Sequence, residues 1–492
     1  MHVVLSVLAL GFGAALQLGA PEGSIEDFIA TEMPASGVPG MSYAVVVDGE
    51  ITSVGAHGVA RAGGEDDVTA DTAFVTGSIS KSFTALAVMQ LVEADEIDLD
   101  DDVARHLDQF SGGPAATVTI RQLLSHTSGY STLQGNASYA GVSGREDELE
   151  RRVDQLAEVA PAAAPDERWE YSNANYQVLG RVVEVVSGQD YQSYVATNIL
   201  EPVGMDQSFV ADGEVHESMA TGHRPWFGTK RPLPENRTDR GTAPQGGIVA
   251  SAGDLARYLV MMMNGRDDVV SAATKALMMR PASRWSPSYG LGWFVDSGNA
   301  TVWHSGTSPG YESLVTMLPS EKKGVVVLLN GGSGLGFGET TQLSHGITAR
   351  ALGLDYDGEG SRLPQKALFI ALALLPVVYL LSMVWAWRRR VEIRAKTDIF
   401  GRFSLWFPLL TTSAAAWVIL DLVPRLFGSP LSNIRLFAPD FGLAMIATAM
   451  TGVLWAVFRL GVAYTGRSGP GCARASSPSC RARRWWARPG TR

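Results

Sequence analysis

Three uninterrupted apolar stretches near the C-terminus constrain everything before them. Ala367–Trp387 runs 21 residues without a charge, Phe403–Leu420 runs 18, and Phe441–Phe458 another 18. A helix needs ~20 such residues to cross the hydrocarbon core, where only a helix or a closed barrel satisfies the backbone. With their flanks, these stretches predict membrane helices over 367–387, 403–424 and 439–463. Pro376 and Pro408 are tolerable inside such helices. The competing reading is a buried, soluble helical hairpin.

The net charge of -10 on 492 residues divides unevenly. From Lys366 onward there are 17 Lys and Arg against four acidic residues, while residues 1–365 hold the other 23 basic and 46 acidic ones. An acidic body offers no electrostatic footprint for nucleic acid. Arg388, Arg389, Arg390, Arg394, Lys396 and Arg402 crowd the loop between the first two apolar stretches, whereas the next loop has only Arg425 and Arg435. The positive-inside rule therefore places loop 388–402 and the Arg-rich tail 464–492 in the cytoplasm, and residues 24–352 outside. The first 20 residues, apolar and uncharged apart from His2, read as a signal peptide or N-terminal anchor, which agrees with that topology. The tail suits contact with anionic lipid.

Both cysteines, Cys472 and Cys480, lie in the tail, so the body has neither a disulfide framework nor a Cys-based metal site. The eight His residues form no H-E-x-x-H and no close pair, and no metal or cofactor is implied. In the body, β-like runs such as Met41–Val47 and Gly324–Asn330 alternate with amphipathic helical patterns such as Ser80–Ala94 and Asn175–Val186. A polar stretch with Gly and Asp, 353–366, has the composition of a linker.

Three short segments carry chemistry. Ser78-Ile-Ser-Lys81 opens a helical pattern, and residues three apart on a helix share a face. The Ser78 hydroxyl can then meet the Lys81 amine, which acts as a base only if burial lowers its pKa. Alone, this spacing is equally that of a solvated helix face. Tyr171-Ser-Asn173 offers a phenol to relay a proton and an amide to grip a substrate, although Ser172 or Asn173 also suits a plain helix N-cap. His304-Ser305-Gly306-Thr307 opens a β-hairpin of Tyr311–Leu318, a turn at Pro319–Lys323, and Gly324–Asn330. There, small residues would let a substrate lie along the strand, and the Thr307 and Ser78 N–H groups could form an oxyanion hole. A lone strand His is otherwise usually satisfied by a carbonyl. Gly306-Thr-Ser308-Pro-Gly310 matches G-x-S-x-G, but Pro309 lacks the N–H that a nucleophile elbow uses, and no helix follows.

In this order and spacing, S-x-x-K, Y-x-N and H-S-G resemble the serine β-lactamase and penicillin-binding-protein superfamily, and most closely its class C β-lactamase-like branch. Val118–Gly129, Ile199–Met205, Gly246–Leu255 and Tyr289–Trp293 resemble it too, so the likeness covers about 24–350. It implies an α+β fold: an antiparallel β-sheet flanked by helices with an inserted, mostly helical subdomain, followed here by three transmembrane helices. It also implies that Ser78 is acylated, that Lys81 and Tyr171 share its proton, and that Asn173 holds the substrate amide. His304, Ser305, Gly306 and Thr307 would line the binding strand. His126 and Gly129 fall in a turn and read as structural. His304 stands where many members carry lysine. A mostly neutral imidazole grips a carboxylate less firmly, so small esters, amides or D-amino-acid peptides rank above β-lactams as substrates. Cell-wall peptide is a further candidate, and a penicillin-recognising sensor, a D-Ala-D-Ala carboxypeptidase or a β-lactamase are the alternatives. A transport module has little support, since Asp421 and Asp440 lie near span ends.

Overall fold

The computed structural model describes residues 23–137 and 145–465. The N-terminal apolar stretch and nearly all of the Arg-rich tail, with the expectations attached to them, lie outside the described residues. The chain divides into two compact bodies, one built from residues up to Ala373 together with Val418–Ile446, the other from Leu374–Trp417 and the residues after Ala447.

The first body is organised by an antiparallel sheet of six strands: β1 (Gly40–Val47), β2 (Glu50–Gly58), β8 (Phe294–Asp296), β9 (Thr301–Ser308), β10 (Tyr311–Leu318) and β11 (Lys323–Leu329). Their spatial order is β2-β1-β11-β10-β9-β8. The pairing of β1 with β11, Tyr43 opposite Val327 and Val45 opposite Val325, joins the two ends of the domain sequence. Both central strands are apolar at nearly every position because the sheet is covered on both faces. Met41, Tyr43, Val45, Val325, Val327 and Leu329 pack under helices Ile25–Ser36 and Thr341–Leu352. Ala44, Val46, Val326 and Leu328 face the main core instead.

The inserted region between β2 and β8 is mostly helical. It also holds a three-stranded sheet of β3 (Phe74–Val75), β4 (Phe209–Val210) and β7 (Ile248–Ala250), and a hairpin of β5 (His223–Trp226) and β6 (Thr229–Pro232). Its central element is helix Ser80–Glu93. The expected amphipathic pattern is not what the fold uses here: every residue from Ser80 to Met89 is buried. Ser80, Ser82 and Thr84, which mimic a solvated face in the sequence, are satisfied inside. Ser80 Oγ accepts the Ile248 N–H at 2.8 Å, and Ser82 Oγ donates to the Ile79 carbonyl at 2.8 Å.

The stretch read as a linker is irregular from Leu354 to Arg362 but held down. Arg362 pairs with Glu339 at 2.7 Å and with Glu359 at 3.0 Å, and Glu359 pairs with His345 at 3.2 Å. Three helices after it are long and apolar enough to cross a membrane: Leu363–Arg388, Ile399–Leu426 and Pro439–Tyr464. They begin and end a few residues outside the charge-free runs, because helix geometry continues into their polar flanks. The second helix loosens into a π-turn at Val418–Leu422. In the second body, Arg394 donates to the Val462 carbonyl and Arg459 to the Ser404 carbonyl at 2.8 Å, satisfying carbonyls near helix ends.

The enclosed helix should be intolerant of truncation. Phe83 stacks on Tyr258 with ring centroids 4.0 Å apart. Phe83→Ala is expected to cost about 3–5 kcal/mol, as cavity-forming aromatic truncations do. Denaturant unfolding of the purified protein, followed by tryptophan fluorescence, checks this.

Candidate active site

A tight turn, Thr76-Gly77-Ser78-Ile79, delivers the chain into the buried helix. Thr76 anchors it on β7, its N–H and Oγ1 both donating to the Ile248 carbonyl, at 2.9 and 2.8 Å. Ser78 is half-buried in this turn, while its neighbours Gly77 and Ile79 are enclosed. One helical turn on, the Lys81 side chain is fully buried, and its Nζ lies 3.0 Å from Ser78 Oγ and 2.8 Å from the Gln245 main-chain carbonyl. Among these described groups no carboxylate pairs with the amine, and burial pulls its pKa well below the ordinary lysine value. A carbonyl can only accept, so one N–H of the amine is committed to Gln245. The lone pair of the neutral amine is then available to the Ser78 hydroxyl.

Aromatic rings surround this pair. Lys81 Nζ sits 4.9 Å from the Tyr171 ring centre and 5.6 Å from that of Tyr176. His126, Tyr289, Phe294 and Trp169 pack around Tyr171 in turn, His126 with a centroid separation of 4.4 Å. Such a wall excludes water and sustains the lowered pKa of the amine. His126 occupies a left-handed turn with φ 60°, and its Nδ1 accepts the Ser172 N–H at 3.2 Å, fixing the start of helix Asn173–Ser187. Burial holds its pKa well below the ordinary histidine value. Gly129 has φ 88°, and a Cβ there would meet the Ala163 carbonyl at 2.1 Å. Ser172 stands at the N-cap, yet its hydroxyl donates to the Ser131 carbonyl at 2.9 Å and caps nothing.

Strand β9 forms the other wall. Beyond Trp303 no strand among the described residues pairs with its outer edge, because β8 covers only Thr301–Trp303. His304 is buried, with Nδ1 donating to the Ser305 carbonyl at 2.7 Å and Nε2 accepting from the Tyr289 hydroxyl at 3.2 Å. Burial pushes its pKa down to about 3. Gly306 is also required by the fold: a Cβ on it would lie 1.9 Å from the Thr76 carbonyl, so glycine admits the Ser78 turn. Gly77, at φ 54°, completes this approach, since its own Cβ would fall 2.6 Å from Thr307 N. The structure thus brings Thr307 N beside the Ser78 turn. Ser305 and Thr307 alternate to the opposite face of β9 from His304, lining a cavity with Thr316, Thr341 and His345. Asn173 is reached by Asn136, whose Oδ1 accepts from Asn173 Nδ2 at 2.9 Å.

The sequence reading missed Gln245, Tyr289, Gly77 and Asn136. The first three lie in or beside stretches that resemble the family, which was the available signal; nothing local marks Asn136.

A serine and a buried lysine at the head of an enclosed helix, set against one strand of an antiparallel sheet, form the architecture of the serine hydrolase superfamily that holds β-lactamases and transpeptidases. The chain belongs to the beta-lactamase family, whose model, described as Beta-lactamase, matches residues 25–345. Penicillin-binding protein 4 of Amycolatopsis lactamdurans is 34% identical over 324 residues, which are 61% of this chain and 83% of that protein. Protein flp of Staphylococcus aureus (strain MRSA252) is 27% identical over 316 residues, and the match spans 62% of its length. The octameric penicillin-binding protein homologue from Pyrococcus abyssi superposes with a TM-score of 0.58 at 28% identity, over 67% of this chain and 77% of that one.

The contact between turn and strand is testable. Gly306→Ala is expected to cost on the order of 1–3 kcal/mol as an overpacking change, and to slow acylation of Ser78 at least tenfold by separating the turn from Thr307 N. Stopped labelling with a fluorophosphonate, beside a thermal melt, separates the two effects.

Proposed function

We propose that the protein is a membrane-anchored, extracytoplasmic serine hydrolase that acts through an acyl-Ser78 intermediate. The carrying observation is the 3.0 Å approach of Ser78 Oγ to the buried Lys81 Nζ. Lys81, neutral at rest, takes the hydroxyl proton as Ser78 Oγ attacks the substrate carbonyl carbon. The resulting oxyanion is held by the N–H groups of Ser78 and Thr307. The C–O or C–N bond of the leaving group then breaks, and Tyr171 with Lys81 returns the proton to the departing atom. Water, deprotonated by the same pair, cleaves the Ser78 ester and restores the enzyme.

Small esters, amides and D-amino-acid peptides, with cell-wall peptide among the last, are the favoured substrates. Supporting this, His304 is neutral and both its ring nitrogens are occupied, so it brings no cation to a β-lactam or peptide carboxylate. The aromatic wall of Trp169, Tyr171 and Phe294 suits an apolar acyl group. Arg-rich segments on the cytoplasmic side and the apolar helices serve as the membrane anchor.

Ser78→Ala should abolish covalent labelling by a fluorophosphonate or a β-lactam probe, as read by intact mass; labelling that persists at another serine would sink the assignment. A neutral lysine base also fixes a sign. Because burial lowers the Lys81 pKa, the amine stays deprotonated at pH values where a solvated lysine is charged. Activity is then lost on the acid side as Lys81 gains a proton, with the kcat/KM midpoint well below 10.5. Lys81→Arg, permanently protonated, should lose acylation on the order of a thousandfold. A profile flat through that limb, or an active arginine variant, contradicts the role. An acyl-enzyme that forms and then persists for hours would favour a sensor over a hydrolase.

A further inference from the structure

The segment joining the second and third apolar helices folds with the hydrolase, in the same compact body. Arg224 donates to the Leu436 carbonyl at 3.2 Å, and the Phe227 N–H donates to Asp440 Oδ2 at 2.9 Å. The informative contacts are at Asn136, which closes the short helix Thr132–Ala137. Its Nδ2 donates to the Gly428 carbonyl at 2.8 Å, and its main-chain carbonyl accepts from Asn433 Nδ2 at 2.7 Å. Asn433 is buried, and Gly428, at φ 64°, fits against Thr132 where a Cβ would come within 3.0 Å.

A main-chain carbonyl can only accept, so the NH₂ end of Asn136 must face Gly428. Its oxygen must then face Asn173, and Asn173 must answer with its own NH₂ end, as it does at 2.9 Å. This leaves Asn173 Oδ1 on the remaining side, buried and without a partner among the described residues. A buried acceptor lacking a donor is costly, and an arriving N–H removes that cost.

We propose that Gly428 and Asn433, from the segment between two membrane helices, fix Asn136 as a positioning residue that sets the Asn173 amide oxygen-inward, so that the site selects substrates carrying an amide N–H beside the scissile carbonyl. The proposal rests on the acyl-Ser78 reading. Asn136 acts through Asn173 and touches no reacting atom. The chain of amides has one polarity only: reversing Asn136 would oppose two acceptors at Gly428 and two donors at Asn173, and reversing Asn173 would set its oxygen against that of Asn136.

The test uses the full chain in detergent with two matched probes, the p-nitrophenyl esters of N-acetyl-D-alanine and O-acetyl-D-lactate. They differ only in an N–H replaced by oxygen. The wild type is expected to favour the first at least tenfold in kcat/KM. Asn136→Leu and Asn433→Ala should each erase most of that preference, mainly through KM for the amide probe. In the Asn433→Ala variant, turnover of the lactate probe and fluorophosphonate labelling of Ser78 should stay within about twofold. Equal loss on both probes, or an unchanged preference, overturns the proposal. Independently of turnover, Asn136→Cys with Asn433→Cys, in a chain whose Cys472 and Cys480 are serine, should be linked by a short bismaleimide. Failure to link overturns the docking on which the relay depends. A wild type whose Ser78 takes no label but whose cysteine pair does link would instead remove the hydrolase reading and leave the docking standing.

Discussion

A single desolvated amine organises the catalytic half of this molecule. Lys81 can serve as a base only while it stays neutral, and it stays neutral only while water is excluded. That requirement explains why the helix is enclosed from Ser80 to Met89, why the main-chain partner of the amine is the uncharged carbonyl of Gln245, and why rings lie around it. It also explains two glycines. Gly77 and Gly306 let the Ser78 turn and β9 meet at backbone distance, closing the site from the side where a larger residue would leave a gap for solvent.

The neutrality of His304 follows from the same electrostatics. A second ammonium beside a buried amine would repel its protonated form and, in a low-dielectric setting, would itself need a counter-charge. An imidazole avoids this by being neutral: its Nδ1–H is fixed on the Ser305 carbonyl and its Nε2 on the Tyr289 hydroxyl. The ring then acts as a wedge between β9 and the aromatic wall. Its place in a strand motif suggests a ligand, whereas its hydrogen bonds make it part of the frame that holds Tyr289 and the free strand edge.

The sheet was legible because its patterns are local: Met41–Val47 and Gly324–Asn330 are continuous apolar runs of strand length, and the turn at Pro319–Lys323 separates two of them. The grouping of Ser78 with Lys81 was legible for the same reason, being a matter of one helical turn. What escaped was non-local or inverted by burial. The polar faces of Ser80, Ser82 and Thr84 imitate exposure, but Ile248 and Ile79 satisfy two of them internally. Gly306 is also demanded by Thr76, whose carbonyl comes from a turn 230 residues earlier in the chain. Asn136 carries no local signal at all, because its partners Gly428 and Asn433 lie beyond two apolar spans. The acidic link 353–366 reads as a free tether by composition, yet ion pairs with Glu339 and His345 bind it, and composition does not encode pairing.

Those distant partners constrain topology as well as chemistry. The hydrolase precedes the first apolar helix, and the Gly428–Asn433 segment follows the second. A chain that crosses a bilayer once between them would leave the two on opposite sides, where Asn136 could bond neither Gly428 nor Asn433. The first two helices must therefore both cross or neither cross. Each is long and apolar enough to cross a membrane, and the loop between them holds six Lys and Arg within 388–402. The proposed topology, with loop 388–402 in the cytoplasm, meets that parity condition.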